Sequence, residues 1–257
     1  MQDKTLIYDG TFDGFLSAVF YVFEHKLTHV SIEHECTAQS GLFAETISII
    51  TEENKANRVY KGLKTKLSSS HTHQMYYAFL SEQIGVENLL LDYIKYVFSN
   101  TVSVGKDYSH ASVLKVAQIA KMVGREKHRM EAFVRFRLTK DSIYFASIEP
   151  DFNVLPLISK HFRKRYADQK WMIYDIKRHY GLYYDLEHVE IVNMEFPKLF
   201  DFTKTDSSFF AEQEFEFQQL WKDYFKSTNI ASRKNMKLHI RHVPKRYWKY
   251  LSEKQPD

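Results

Sequence analysis

An α+β fold is predicted, with an antiparallel sheet of about five strands packed with several helices. Three observations predict it. Apolar residues recur at helical spacing through the first half, alternation replaces that period after Glu131, and strands and helices come in runs rather than as alternating βαβ units. Breakers are scarce, with 8 Gly and 5 Pro in 257 residues, while 20 Phe and 17 Tyr require burial or stacking partners. A chain of this length and 44% hydrophobic content can bury a substantial core.

Thr5 to Tyr8 is a short β-prone run, and Asp9-Gly10-Thr11 follows as a turn whose Thr can cap a helix. Phe12, Phe15, Leu16, Val19, Phe20 and Phe23 then give that helix one wide apolar face. Glu53 to Ser68, His71 to Gln83, Val86 to Asn100 and Ser109 to Met122 read as four more helices. Past Glu131, Phe133 to Leu138 and Ile143 to Ile148 flank Lys140-Asp141 as a hairpin. Trp171 to Ile176, Gly181 to Tyr184 and His188 to Val192 supply three further strands, and Phe152 to Tyr166 and Glu212 to Phe225 two amphipathic helices. No repeat or linker interrupts the chain. A single domain over 1–257 is expected, with a seam near Gly124 between a helical part, 1–123, and a sheet-containing part, 124–257.

The lone Cys36 excludes an internal disulfide and any iron–sulfur cluster held by this chain's thiolates alone, which suits a reducing, cytoplasmic address. A buried, inert thiol is expected there. No segment approaches the roughly 20 apolar residues of a membrane span, and no signal peptide is legible. His71 and His73 lack further ligands at metal-binding spacing, so no metal site and no cofactor are expected.

The net charge of +4 is modest, but it is segregated: Lys226 to Lys249 holds eight Lys or Arg residues and no acid. Candidate contacts to nucleic acid are Arg125, His128, Arg129, Arg135, Lys177, Arg178, Arg233, Lys237, His239, Arg241 and Arg246. Arg135 and Arg137, two apart in a strand, would share one sheet face, and guanidinium groups bind phosphate bidentately. Arg163 to Arg165 add a basic helix end. Rings interleave with cations in Arg246-Tyr247-Trp248-Lys249-Tyr250, as stacking of unpaired bases requires. DNA is thus the expected ligand, with a single strand or an extruded base among the forms that fit and the strand preference left open.

An enzymatic reading exists beside this one. Pro150-Asp151 and Asp175-Ile176-Lys177 satisfy the loose pattern of a metal-dependent nuclease, in which two carboxylates hold a divalent ion and Lys steadies the attacking water. Ordinary roles compete for the same residues, since Asp151 can cap the helix after it and Asp175 can pair with Arg178. Asp9 and Asp13 flank a turn and a helix start, where dipole and turn chemistry explain them as well as catalysis does.

Tyr8-Asp9-Gly10-Thr11-Phe12-Asp13-Gly14-Phe15-Leu16 near the start, and Arg233-Lys234-Asn235-Met236-Lys237-Leu238-His239-Ile240-Arg241-His242-Val243-Pro244-Lys245-Arg246-Tyr247-Trp248 near the end, resemble an uncharacterised bacterial family labelled DNA metabolism or DNA repair. Gly124 to Arg129, Phe133 to Phe136 and Trp171 to Arg178 fit it too, so the resemblance spans nearly the whole chain. It implies association with a radical-SAM protein that modifies or repairs DNA, and in some members fusion to a uracil-DNA-glycosylase-like domain. It supplies no catalytic residues. The leading expectation is therefore a DNA-binding accessory to a radical-SAM or base-processing partner. The alternatives are a metal-dependent nuclease or base-processing hydrolase, and a protein-interaction module without nucleic-acid contact.

Overall fold

A short apolar strand followed by a capped helix opens the chain. β1 (Lys4–Tyr8) is the centre of a three-stranded sheet and pairs in parallel with β2 (Val30–His34) and β3 (Glu45–Ser48), in the order β2-β1-β3. Leu6 sits opposite Ile32 and Ile47 in the two registers, and Leu6 and Ile32 are fully buried. β2 and β3 are absent from the sequence expectation because each is short and only weakly apolar, and both depend on pairing with β1 for their stability.

α1 (Phe12–Glu24) begins at Thr11, whose Oγ1 accepts the Gly14 N–H at 2.9 Å. It packs against α2 (Glu53–Lys66), and α3 (Ser69–Phe79) and α4 (Val86–Ser99) complete this helical layer. The coordinates, a computed structural model, describe residues 4–36, 45–197, 200–228 and 236–254. They divide into two compact units, Met1–Gly124 and Arg125–Asp257.

α5 (Ala111–Phe133) runs eleven residues past its expected end at Met122, straight through Gly124. A helical Gly costs about 1 kcal/mol, which burial of Val123 and Met130 outweighs. The strand expected from Phe133 therefore shrinks to β4 (Arg137–Leu138), paired antiparallel with β5 (Tyr144–Ile148).

The second unit holds a five-stranded sheet in the order β4-β5-β6-β7-β8, continued by β6 (Trp171–Asp175), β7 (Tyr180–Tyr184) and β8 (Val189–Val192). It is mixed, not antiparallel as expected, because β5 and β6 run parallel. The cause is α6 (Leu155–Arg165), which lies between them in sequence and serves as the crossover that a parallel pair needs. Leu155, Ile158 and Phe162 form its buried stripe, and Arg163 to Arg165 end it favourably for the helix dipole. Beyond the sheet follow α7 (Glu212–Thr228), α8 (Met236–His242) and 3-10 turns over Lys245–Tyr250 and Ser252–Lys254. Phe145, Tyr174 and Phe210 form an aromatic core on which Phe196, Phe202 and Phe209 pack.

Candidate nucleic-acid interface

The parallel pairing makes Ile148 and Asp175 register partners, so the segments leaving β5 and β6 emerge at the same end of the sheet. Asp151, Asp175 and Lys177 are brought together there. Asp175 is wholly buried; its Oδ1 accepts the backbone N–H of Lys177 at 3.0 Å and of Arg178 at 3.2 Å, and its Oδ2 the Arg178 guanidinium at 2.9 Å. Burial pushes its pKa up more strongly than Arg178 pulls it down. Arg178 also donates to the carbonyls of Pro150 and Asp151, at 3.2 and 3.1 Å, and Lys177 Nζ reaches the Asp151 carbonyl at 3.3 Å. These bonds close the turn after β6 and fasten it to the segment after β5.

The Asp151 carboxylate pairs with Arg246 at 2.5 Å. It does not cap α6, whose N-cap is Val154. The Asp151 N–H donates to Glu126 Oε1 at 3.0 Å, and Glu126, 1% exposed, also receives the Tyr247 hydroxyl and the guanidinium groups of Arg129 and Arg246, both at 3.3 Å. Glu149 accepts from Lys249 Nζ and the Tyr250 hydroxyl, each at 2.6 Å, and the Lys249 bond foremost lowers its pKa. Glu126 and Tyr247 are the hub the sequence reading missed; the signal was one acid inside Gly124-Arg125-Glu126-Lys127-His128-Arg129, where the cations needed a counter-charge. Among the described residues no three His, Cys, Asp or Glu side chains gather to hold a metal.

The candidate cations divide into two sets. Arg129, Arg178 and Arg246 belong to this carboxylate network, and Arg135 grips Glu253 with two nitrogens at 2.8 and 3.3 Å. Arg125, His128, Lys177, Lys237 and Arg241 are exposed, whereas His239 is half-buried with its ring 5.9 Å from that of Trp248. Arg233 lies outside the described residues. Arg135 and Arg137 do not share a strand face, because β4 begins only at Arg137. Arg137 instead lies on the Phe210 ring at 4.4 Å and donates to the carbonyls of Phe202 and Lys204; desolvation lowers its pKa to about 10.

Between β4, α6 and α7 opens a cavity of about 780 Å³, within the range of pockets that take small ligands. Phe136 lines it, edge-on to Tyr166 at 5.2 Å and to Phe162 at 5.7 Å. Phe202, stacked flat against Tyr174, lines it too. Phe217 and Trp221 from α7 also line it, and they are 60% and 40% exposed despite their size. The indole N–H of Trp221 donates to Glu253 at 3.1 Å, which fixes the ring. Arg165 and Gln169 complete the lining, and among the described residues neither has a hydrogen-bond partner. Rings that stack, beside a solvent-accessible guanidinium that lies over Tyr166 and an amide, are what a heteroaromatic ring with a nearby anion requires.

Other sites singled out in the sequence are absorbed by the fold. Asp9 accepts from the N–H and hydroxyl of Thr11, at 2.9 and 2.7 Å, and from the Thr51 hydroxyl at 2.7 Å, which locks the β1–α1 turn and lowers its pKa against the opposing effect of burial. His71 is buried with Nδ1 2.8 Å from Ser68 Oγ, while His73 is exposed, so the two imidazoles do not form a ligand pair. Cys36 is exposed, not buried as expected, at the end of β2 where the His34 ring accepts its backbone N–H.

A family model described as a domain of unknown function, DUF4130, matches residues 85–253, well over half of the chain. The chain belongs to the DUF4130 family. Every residue lining the cavity, and the Glu126 network with it, lies inside the DUF4130 span. No curated protein matches the sequence. Among solved structures the chain is similar to a pGpG-specific phosphodiesterase, PggH from Vibrio cholerae, at 10% identity over 71% of this chain and 81% of that one. The TM-score of 0.31 is too low for that likeness to bear on fold or chemistry. Among the described residues no helix is long and apolar enough to cross a membrane.

Proposed function

We propose that this DUF4130 protein is a DNA-binding accessory to a radical-SAM or base-processing enzyme, and that its cavity receives an unstacked base. The observation behind this reading is the cavity itself, where exposed Phe217 and Trp221 face a ring-lined recess beside Arg165. Stacking on such rings contributes about 1–3 kcal/mol per base and tolerates sequence variation. The exposed cations Arg125, Lys177, Lys237 and Arg241 supply charge for the phosphate chain, and exposed His128 a further ring that can hydrogen-bond it. The family resemblance of the sequence supplies the DNA-repair setting and the class of partner.

The nuclease or hydrolase reading has one observation in its favour, the approach of the Asp151 backbone to Asp175 through Arg178 at one end of the sheet. Against it, Arg246 and Arg178 occupy the carboxylates that a metal would need. Binding of a labelled single strand and of the matching duplex, titrated with salt, tests the proposal. A preference for the single strand is expected, with log affinity falling by about 0.7 per tenfold rise in salt for each phosphate contacted. Equal binding with no salt response would overturn it. Magnesium- or manganese-dependent cleavage that Asp175→Asn abolishes in a folded protein would favour the nuclease instead.

A further inference from the structure

Gln218 reaches into the cavity from α7 with its amide held in one orientation. Its Nε2 donates to Thr205 Oγ1 at 2.8 Å and to Glu214 Oε1 at 3.0 Å, so both amide hydrogens are engaged. Glu214, only 6% exposed, accepts the Leu138 backbone N–H through its other oxygen at 2.9 Å. A carboxylate that accepts on both oxygens prevents the amide from flipping, because a flip would set two acceptors against each other. With both amide hydrogens engaged, the Gln218 carbonyl oxygen is the group of this cavity-lining side chain that accepts from no donor among the described residues.

From this arrangement, and resting on the base-receiving reading above, we infer that Gln218 orients the bound base by accepting an N–H from its edge. Every DNA base offers such a donor, so the cavity favours any of them over a ring of equal size that offers none. Stacking cannot make this distinction, since every base has a π face. A fixed acceptor can, because a donor-free edge leaves the carbonyl oxygen desolvated and unpaired.

The test compares two single-stranded oligonucleotides that are abasic at every position but one, which carries adenine in one strand and unsubstituted purine in the other. The wild-type protein is expected to bind the adenine strand about five- to tenfold more tightly, the effect of one hydrogen bond. Gln218→Leu is expected to bind both strands at the weaker level. Tight but equal wild-type binding to both would overturn the inference while leaving the base-receiving cavity standing. Failure to bind either strand would overturn both. The wild-type comparison decides the matter even where the variant folds poorly.

Discussion

Arg178 lies 2.9 Å from Asp175, and the pair is shut away from solvent, the carboxylate completely and the guanidinium side chain to 9% exposure. Arg178→Ala leaves that carboxylate buried and unpaired, which costs about 3–5 kcal/mol. Asp175→Asn is milder, because the remaining oxygen still accepts the Lys177 and Arg178 N–H groups. Urea denaturation of both variants should rank them in that order. The reverse ranking would mean that Asp175 is not the member that needs its partner.

Tyr247 ties the C-terminal 3-10 turn to the buried Glu126. Tyr247→Phe deletes a donor to a buried charged acceptor, so about 1.5–3 kcal/mol of stability should be lost. Tyr250→Phe removes a comparable bond to Glu149, whose side chain is 41% exposed and can turn to water, so its loss should be smaller. Denaturation midpoints of the two variants check the difference.

His71 carries a pKa below its ordinary 6.5, because burial and then the Lys106 charge disfavour its protonated form. The unfolded chain therefore binds a proton that the native state resists. This contribution to stability is complete above about pH 6.5 and is lost as the pH falls toward the lower native value. Thermal midpoints measured from pH 7.5 to 5 should decline more steeply for the wild type than for His71→Gln. Parallel curves would remove His71 as the cause.

Much of the fold was legible in the sequence. β5 to β8 and α1 to α7 are legible in the apolar period, but alternation does not encode strand direction, so the parallel β5–β6 pair is not legible even though the helix between its strands is. The basic clusters were legible too. Their counter-charges were not, because Arg135 meets Glu253 and Arg246 meets Glu126 from more than a hundred residues away. For the same reason the cavity stayed hidden: its walls come from separate segments, and only their meeting leaves Phe217 and Trp221 beside Phe136 and Arg165.

That cavity is tested most directly by an oligonucleotide abasic at every position, compared with the same strand carrying a single central base. Fluorescence anisotropy should show the base-bearing strand bound about tenfold more tightly, in line with one stacked base. Phe217→Ala, which removes an exposed ring, should abolish the difference without lowering the denaturation midpoint. Equal affinity of the wild-type protein for both strands would contradict the base-receiving cavity.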